Sequence, residues 1–161
     1  MMKHKMTYLC ILALMAGALV LLGAGLSRSA NPGKATGGVS WMSTESGEEV
    51  RNWAEFEAIG GTNDYPAKGW VKYHNSNGMR FRVDVRCVIV EDDWAFFSGP
   101  VVSADDTLML NQWLKVVVYD GGSPGSKGDK IWGEFYSADP GCSPVHPSDM
   151  TDIENGNLVV H

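Results

Sequence analysis

Only three cysteines occur in the 161 residues, and one of them, Cys10, lies inside an apolar run near the N-terminus. The remaining two are too few for a disulfide-dense scaffold, and they lack the paired Cys/His spacing of a zinc motif. Basic residues are scarce as well: 13 Lys and Arg face 19 Asp and Glu, for a formal net charge of −6. An acidic chain repels phosphate backbones and anionic headgroups, which argues against nucleic acid and negatively charged membrane surfaces as partners. Beyond the N-terminal run, no window carries apolar residues at helical spacing over the roughly 11 residues that argue a helix. There is no internal repeat, no low-complexity tail, and no serine, histidine and acid in a nucleophile motif.

What is present begins with an address. Lys3 and Lys5 precede an uncharged apolar stretch, residues 8–26, followed by the small polar residues 27–30. A basic start, an apolar stretch and a small-residue cleavage region are the layout of a secretory signal, with cutting expected after Gly25 or Ser29. The stretch is also close to the roughly 20 residues that span a bilayer, so an uncleaved signal anchor is the alternative. Both place the rest of the chain outside the cytoplasm, either released or held to the membrane through residues 8–26. Residues 1–29 carry Lys3, Lys5 and Arg28 but no acid, so their removal takes the net charge from −6 to −9. Residues 30–38 are expected to form a linker, and residues 39–161 one domain with a single core.

Cys87 and Cys142 remain in that domain, which is the arithmetic of one disulfide in an oxidising compartment. The competing use is a metal site with His146 and His161, whose scattered positions do not match known ligand spacing.

Residues 79–90 carry the clearest pattern. Met79, Phe81, Val83, Val85, Cys87 and Ile89 alternate with Arg80, Arg82, Asp84 and Arg86, the period of a strand with one buried face, and Cys87 is expected on that face. Further strands are expected at residues 53–59, 69–74, 94–102, 108–119, 131–137 and 157–160. The cluster Asn75-Ser76-Asn77-Gly78 joins 69–74 to 79–90 as a hairpin. Val116, Val117 and Val118 read as buried on both sides. Seven to nine short strands predict an all-β antiparallel sandwich or small barrel. The last strand is expected to be tied into the sheet, beside an early strand, where it would protect an edge.

Several stretches in order resemble small exported bacterial all-β domains of the post-COAP type. They are Ala35-Thr36-Gly37-Gly38, Val85-Arg86-Cys87-Val88, residues 94–99, the loop from Val118 through Asp129, the Cys142 region and residues 156–161. The resemblance implies a secreted β-module, sometimes appended to larger extracellular enzymes or surface proteins, and it brings no catalytic residues with it.

Candidate sites are few. Asp120 and Asp129 flank a glycine-rich loop and offer either oxygen ligands to calcium or acceptors for turn amides; no other cofactor is implied. Asp105 and Asp106 suggest a solvated loop tip. All six tryptophans lie in the domain. Flat aromatic faces bind sugars, and Trp70, beside Lys72 and His74, and Trp132, beside Glu134 and Tyr136, are the candidates for facing a ligand; tryptophan is equally a filler of β cores. Glu55 and Glu57 share a strand face, as two carboxyls of a glycosidase must flank the bond, and Glu134 is a third acid to consider. The expected function is an exported, non-catalytic binding or structural module. The alternatives are a carbohydrate-binding module and, below it, a glycoside hydrolase; a surface glycan or an extracellular protein is the expected partner.

Overall fold

The computed structural model describes residues 32–61, 66–122 and 125–161. The proposed signal or anchor, residues 1–29, lies outside them. The described chain forms one antiparallel ten-stranded sheet curled into a half-barrel. Its strands are β1 (Lys34–Glu45), β2 (Glu48–Ile59), β3 (Lys68–Asn75), β4 (Arg80–Val85), β5 (Cys87–Glu91), β6 (Trp94–Ala104), β7 (Trp113–Tyr119), β8 (Lys130–Tyr136), β9 (Thr151–Asp152) and β10 (Asn155–Val160). The spatial order is β10-β1-β2-β3-β4-β6-β7-β8-β9, with β5 also paired to β6.

Two corrections concern the N-terminal half. Residues 34–38, expected in a linker, are the start of β1, which pairs with β2 along its whole length and with β10. The two strands are joined by the two-residue turn Ser46-Gly47, both at positive φ (52° and 88°), the hairpin geometry that matches strand twist. The expected single strand 79–90 is broken at Arg86. Val83 pairs with Val101 and Cys87 with Ser98, so four steps on one strand face three on β6. The extra residue flips the alternation. Phe81, Val83 and Val85 enter the main core, whereas Cys87 and Ile89 turn to the opposite face. Gly99 permits this kink, since a Cβ there would lie 1.9 Å from the Asp84 carbonyl oxygen. Leu108 and Met109, expected to open a strand, lie in a 3-10 turn (Thr107–Met109) capped by Asp106, and β7 starts at Trp113.

The main core fills the concave side. Phe56, Phe97, Val83, Val101, Val118 and Leu158 pack there, with the Phe56 and Phe97 rings 5.4 Å apart. A second, smaller cluster covers the outer face of β5 to β8. Phe96, Val117 and Cys142 are buried there, so β7 is covered on both faces as its valine run predicts. The cover is residues 139–150, which the Cys87–Cys142 disulfide fastens to β5, with Cα atoms 5.7 Å apart. His146 packs edge-on against Trp94 and Phe96.

Residues 151–161 lace the half-barrel's two edges. β9 pairs with β8, Ile153 N–H then donates to the Asp129 carbonyl (3.0 Å), Glu154 N–H donates to the Ser40 carbonyl (2.9 Å), and β10 pairs with β1. The C-terminal strand thus lies beside the first one, and Lys34 and His161 exchange two backbone hydrogen bonds of 3.0 and 2.8 Å.

Candidate functional site

Strand alternation sends one set of side chains from β1, β2, β3, β4, β7 and β8 into the hollow of the half-barrel. At the end holding Ile59, Lys68 and Glu91, the core side chains of Ala35, Ala58 and Val85 fill the hollow. Toward the β1–β2 and β3–β4 turns it is not filled, and a cavity of about 440 Å³ opens there. Its floor is apolar: Ala54, Phe56, Val71, Leu114, Val116 and Ile131. Its wall is aromatic. Trp41 and Tyr73 have ring centroids 6.2 Å apart, Tyr73 stacks on Phe81 at 4.7 Å, and Phe81 meets Phe135 edge-on at 5.4 Å. Met79 and Phe135, each about two-fifths exposed (40% and 38%), stand at the rim.

Gly133 contributes to the opening. It occupies an inward position of β8 between Ile131 and Phe135, and a Cβ there would meet only ordinary contacts at 3.7 Å. The strand thus lacks a side chain where one would fit.

One polar chain interrupts the apolar lining. The Tyr73 hydroxyl donates to Asn52 Oδ1, and Asn52 Nδ2 donates to Ser43 Oγ (2.9 Å) and to the Val50 carbonyl (3.1 Å). Asn52 is only 2% exposed, so these bonds satisfy an amide that would otherwise be costly to bury. Burial raises the Tyr73 phenol above its ordinary range, and the negative charge of Glu45 adds to the shift. The lining also includes Glu45, Asp149 and Thr151 and, among the described residues, no Lys, Arg or His.

The residues singled out from sequence fall elsewhere. Asp120 and Asp129 are held by amides: Asp120 Oδ1 accepts from Gly122 N–H (2.8 Å) and Oδ2 from Val160 N–H (3.0 Å), and Asp129 Oδ1 accepts from Gly121 N–H (2.9 Å). Asp129 is fully buried, its Oδ2 has no partner among the described residues, and burial raises its carboxyl above the usual carboxylate range. No group of three or more metal-ligating side chains is found among the described residues.

Trp70, Lys72 and His74 share the outer face of β3 as expected. The Lys72 ammonium lies 5.0 Å from the centre of the half-buried Trp70 ring, and Trp53 stacks on His74 at 4.8 Å. Glu55 and Glu57 point outward from β2, and Glu57 pairs with Lys34 at 2.8 Å. Glu134 lies on β8, five places along the sheet from β2, so these three acids do not flank a common cleft.

Trp132, Glu134 and Tyr136 are brought together. With Lys115 and residues 145–149 of the covering segment they line a shallow outer groove of about 380 Å³. Tyr136 donates to Glu134, which holds its phenol above the usual range.

The cavity was not foreseen from sequence. Its wall draws Trp41, Tyr73, Phe81 and Phe135 from four strands, and their only shared sequence signal is an aromatic at an inward position near the same end of each. No family model, curated protein or solved structure matches this chain.

Proposed function

We propose that this chain is an exported, non-catalytic binding domain that takes a small, largely apolar molecule into the open end of its half-barrel. The observation that carries this is the 440 Å³ cavity, a volume within the usual range of small-molecule sites, apolar in lining with one hydrogen-bonded polar chain. A core under no other demand would close such a space, because an empty apolar hollow forfeits packing contacts. The export segment and the disulfide fit a domain that works in an oxidising compartment, and the post-COAP resemblance fits a secreted β-module.

The test is saturable binding of an uncharged fluorescent probe, N-phenyl-1-naphthylamine, to the purified protein and to Gly133→Leu, whose side chain would occupy the cavity. One-site binding by the natural protein and its loss in a folded Gly133→Leu is the expected result. Equal binding by both proteins, or none by either, refutes the cavity as a ligand site.

A sugar site is the second reading, favoured by the outer groove that gathers Trp132, Tyr136 and Glu134 beside the buried Lys115. Tryptophan fluorescence titrated with a panel of oligosaccharides checks it; a response that survives Trp132→Ala would remove this groove from consideration.

A further inference from the structure

The charges around the cavity are of one sign. Glu45 closes β1 at the rim, and Asp149, which the covering segment also contributes to the outer groove, is the second acidic residue of the lining. The basic residues of the same strands are on the other side of the sheet. Alternation sends Lys72, Arg80 and Arg82 outward while Tyr73 and Phe81, their immediate neighbours, turn inward. The cavity therefore combines a row of four aromatic rings with two acidic residues and, among the described residues, no Lys, Arg or His in its lining.

That combination has a chemical preference. Aromatic π surface attracts organic cations, which shed water more readily than a metal ion and can enter an apolar hollow. Carboxylates at the rim add long-range attraction for a positive ligand and repel a negative one, in a domain that is acidic overall. An anionic ligand such as a fatty acid would need a basic partner, and the described residues of the lining supply none.

We propose that the cavity selects an organic cation with an apolar body, an alkyl- or arylalkylammonium ion, over neutral and anionic molecules of similar shape. The proposal rests on the cavity being a ligand site, and the experiment separates the two claims. The purified protein is titrated by calorimetry with 4-phenylbutyltrimethylammonium, 4-phenylbutanol and 4-phenylbutanoate, at low and at high salt. The ammonium ion is expected to bind at least about tenfold more tightly than the alcohol, and the carboxylate most weakly. Raising the salt is expected to shrink the ammonium's advantage, since the rim carboxylates are exposed. In the double variant Glu45→Gln, Asp149→Asn the advantage of the ammonium over the alcohol is expected to fall to within about threefold. If the alcohol binds the natural protein as tightly as the ammonium ion, or the carboxylate binds best, charge selection is overturned while the cavity remains a binding site. If none of the three binds, both claims fall together.

Discussion

Replacing both Cys87 and Cys142 by alanine should cost this domain a large part of its stability. The bridge closes a loop of 55 residues that contains β6, β7 and β8. In the chain-entropy treatment a loop of that length is worth about 4 kcal/mol, through the restriction it places on the unfolded chain. Against a typical domain stability of about 5–15 kcal/mol, that loss would lower the melting temperature by roughly 15 °C. The loss should also have a location. Without the bridge, residues 139–150 are held by the Lys115 ammonium on the Ser143 carbonyl (3.0 Å) and by the edge contacts of His146 with Trp94 and Phe96 (centroids 4.5 and 5.3 Å), contacts worth about 1 kcal/mol each. The covering segment should therefore open before the sheet does. Urea unfolding followed by tryptophan fluorescence gives the global figure, and the rate of limited proteolysis within residues 139–150 gives the local one. A loss below about 1 kcal/mol, with the segment cut no faster than in the natural protein, would refute the reasoning.

Four further outcomes follow from the geometry. Gly133→Leu should raise stability by about 1 kcal/mol in urea unfolding, because it fills open space and removes glycine's freedom from the unfolded chain; destabilisation would mean that the hollow is not open there. Gly99→Ala should cost about 3 kcal/mol or more, since its Cβ would meet backbone at 1.9 Å, and a stability equal to the natural protein's would contradict the close approach. Tyr73→Phe leaves the buried Asn52 oxygen unpaired and should cost about 1–3 kcal/mol, with no change as the result that counts against the polar chain. Asp129 has a raised carboxyl pKa in the fold, so the folded state takes up this proton before the unfolded state does. The natural protein should gain stability relative to Asp129→Asn as pH falls through the folded pKa toward the unfolded value of about 3.9, and level off below it. A difference that stays flat or moves the other way between pH 7 and 3 would show that the buried oxygen is compensated.

Much of the sheet is written locally in the chain. The alternation of Phe81, Val83 and Val85 with three charged residues gives β4, the valine run gives a strand covered on both faces, and Asn75 to Gly78 gives the hairpin, in which Asn75 Oδ1 accepts from Asn77 and Met79 N–H. The strand β1 is harder to see because its inward positions include Ala35 and Gly37, residues with little β preference of their own. Those small residues answer to a partner: a Cβ on Gly37 would come within 2.7 Å of the Phe56 ring. The kink at Arg86 is hidden for a similar reason, since the space for it is provided by Gly99 on the neighbouring strand. The cavity is the least legible feature. It depends on the curvature of the whole sheet and on a missing side chain at Gly133, neither of which leaves a periodic trace. The single-sign lining follows from alternation once the curvature is known, but nothing in residues 72–82 alone says which face is concave.

The paired ends of the domain have a topological consequence. Because Lys34 and His161 bond to each other in register, β10 and β1 are neighbours on one side of an open sheet whose order runs from β10 to β9, and that order does not depend on which of the exposed turns the chain passes through. A short peptide joining the two would make a continuous hairpin, and the chain could then be opened at another exposed turn, such as Ser46-Gly47, with every strand pairing retained. The same closeness lets the domain be spliced into a surface loop of a host protein through two adjacent strands, with its open cavity at the far end from the junction.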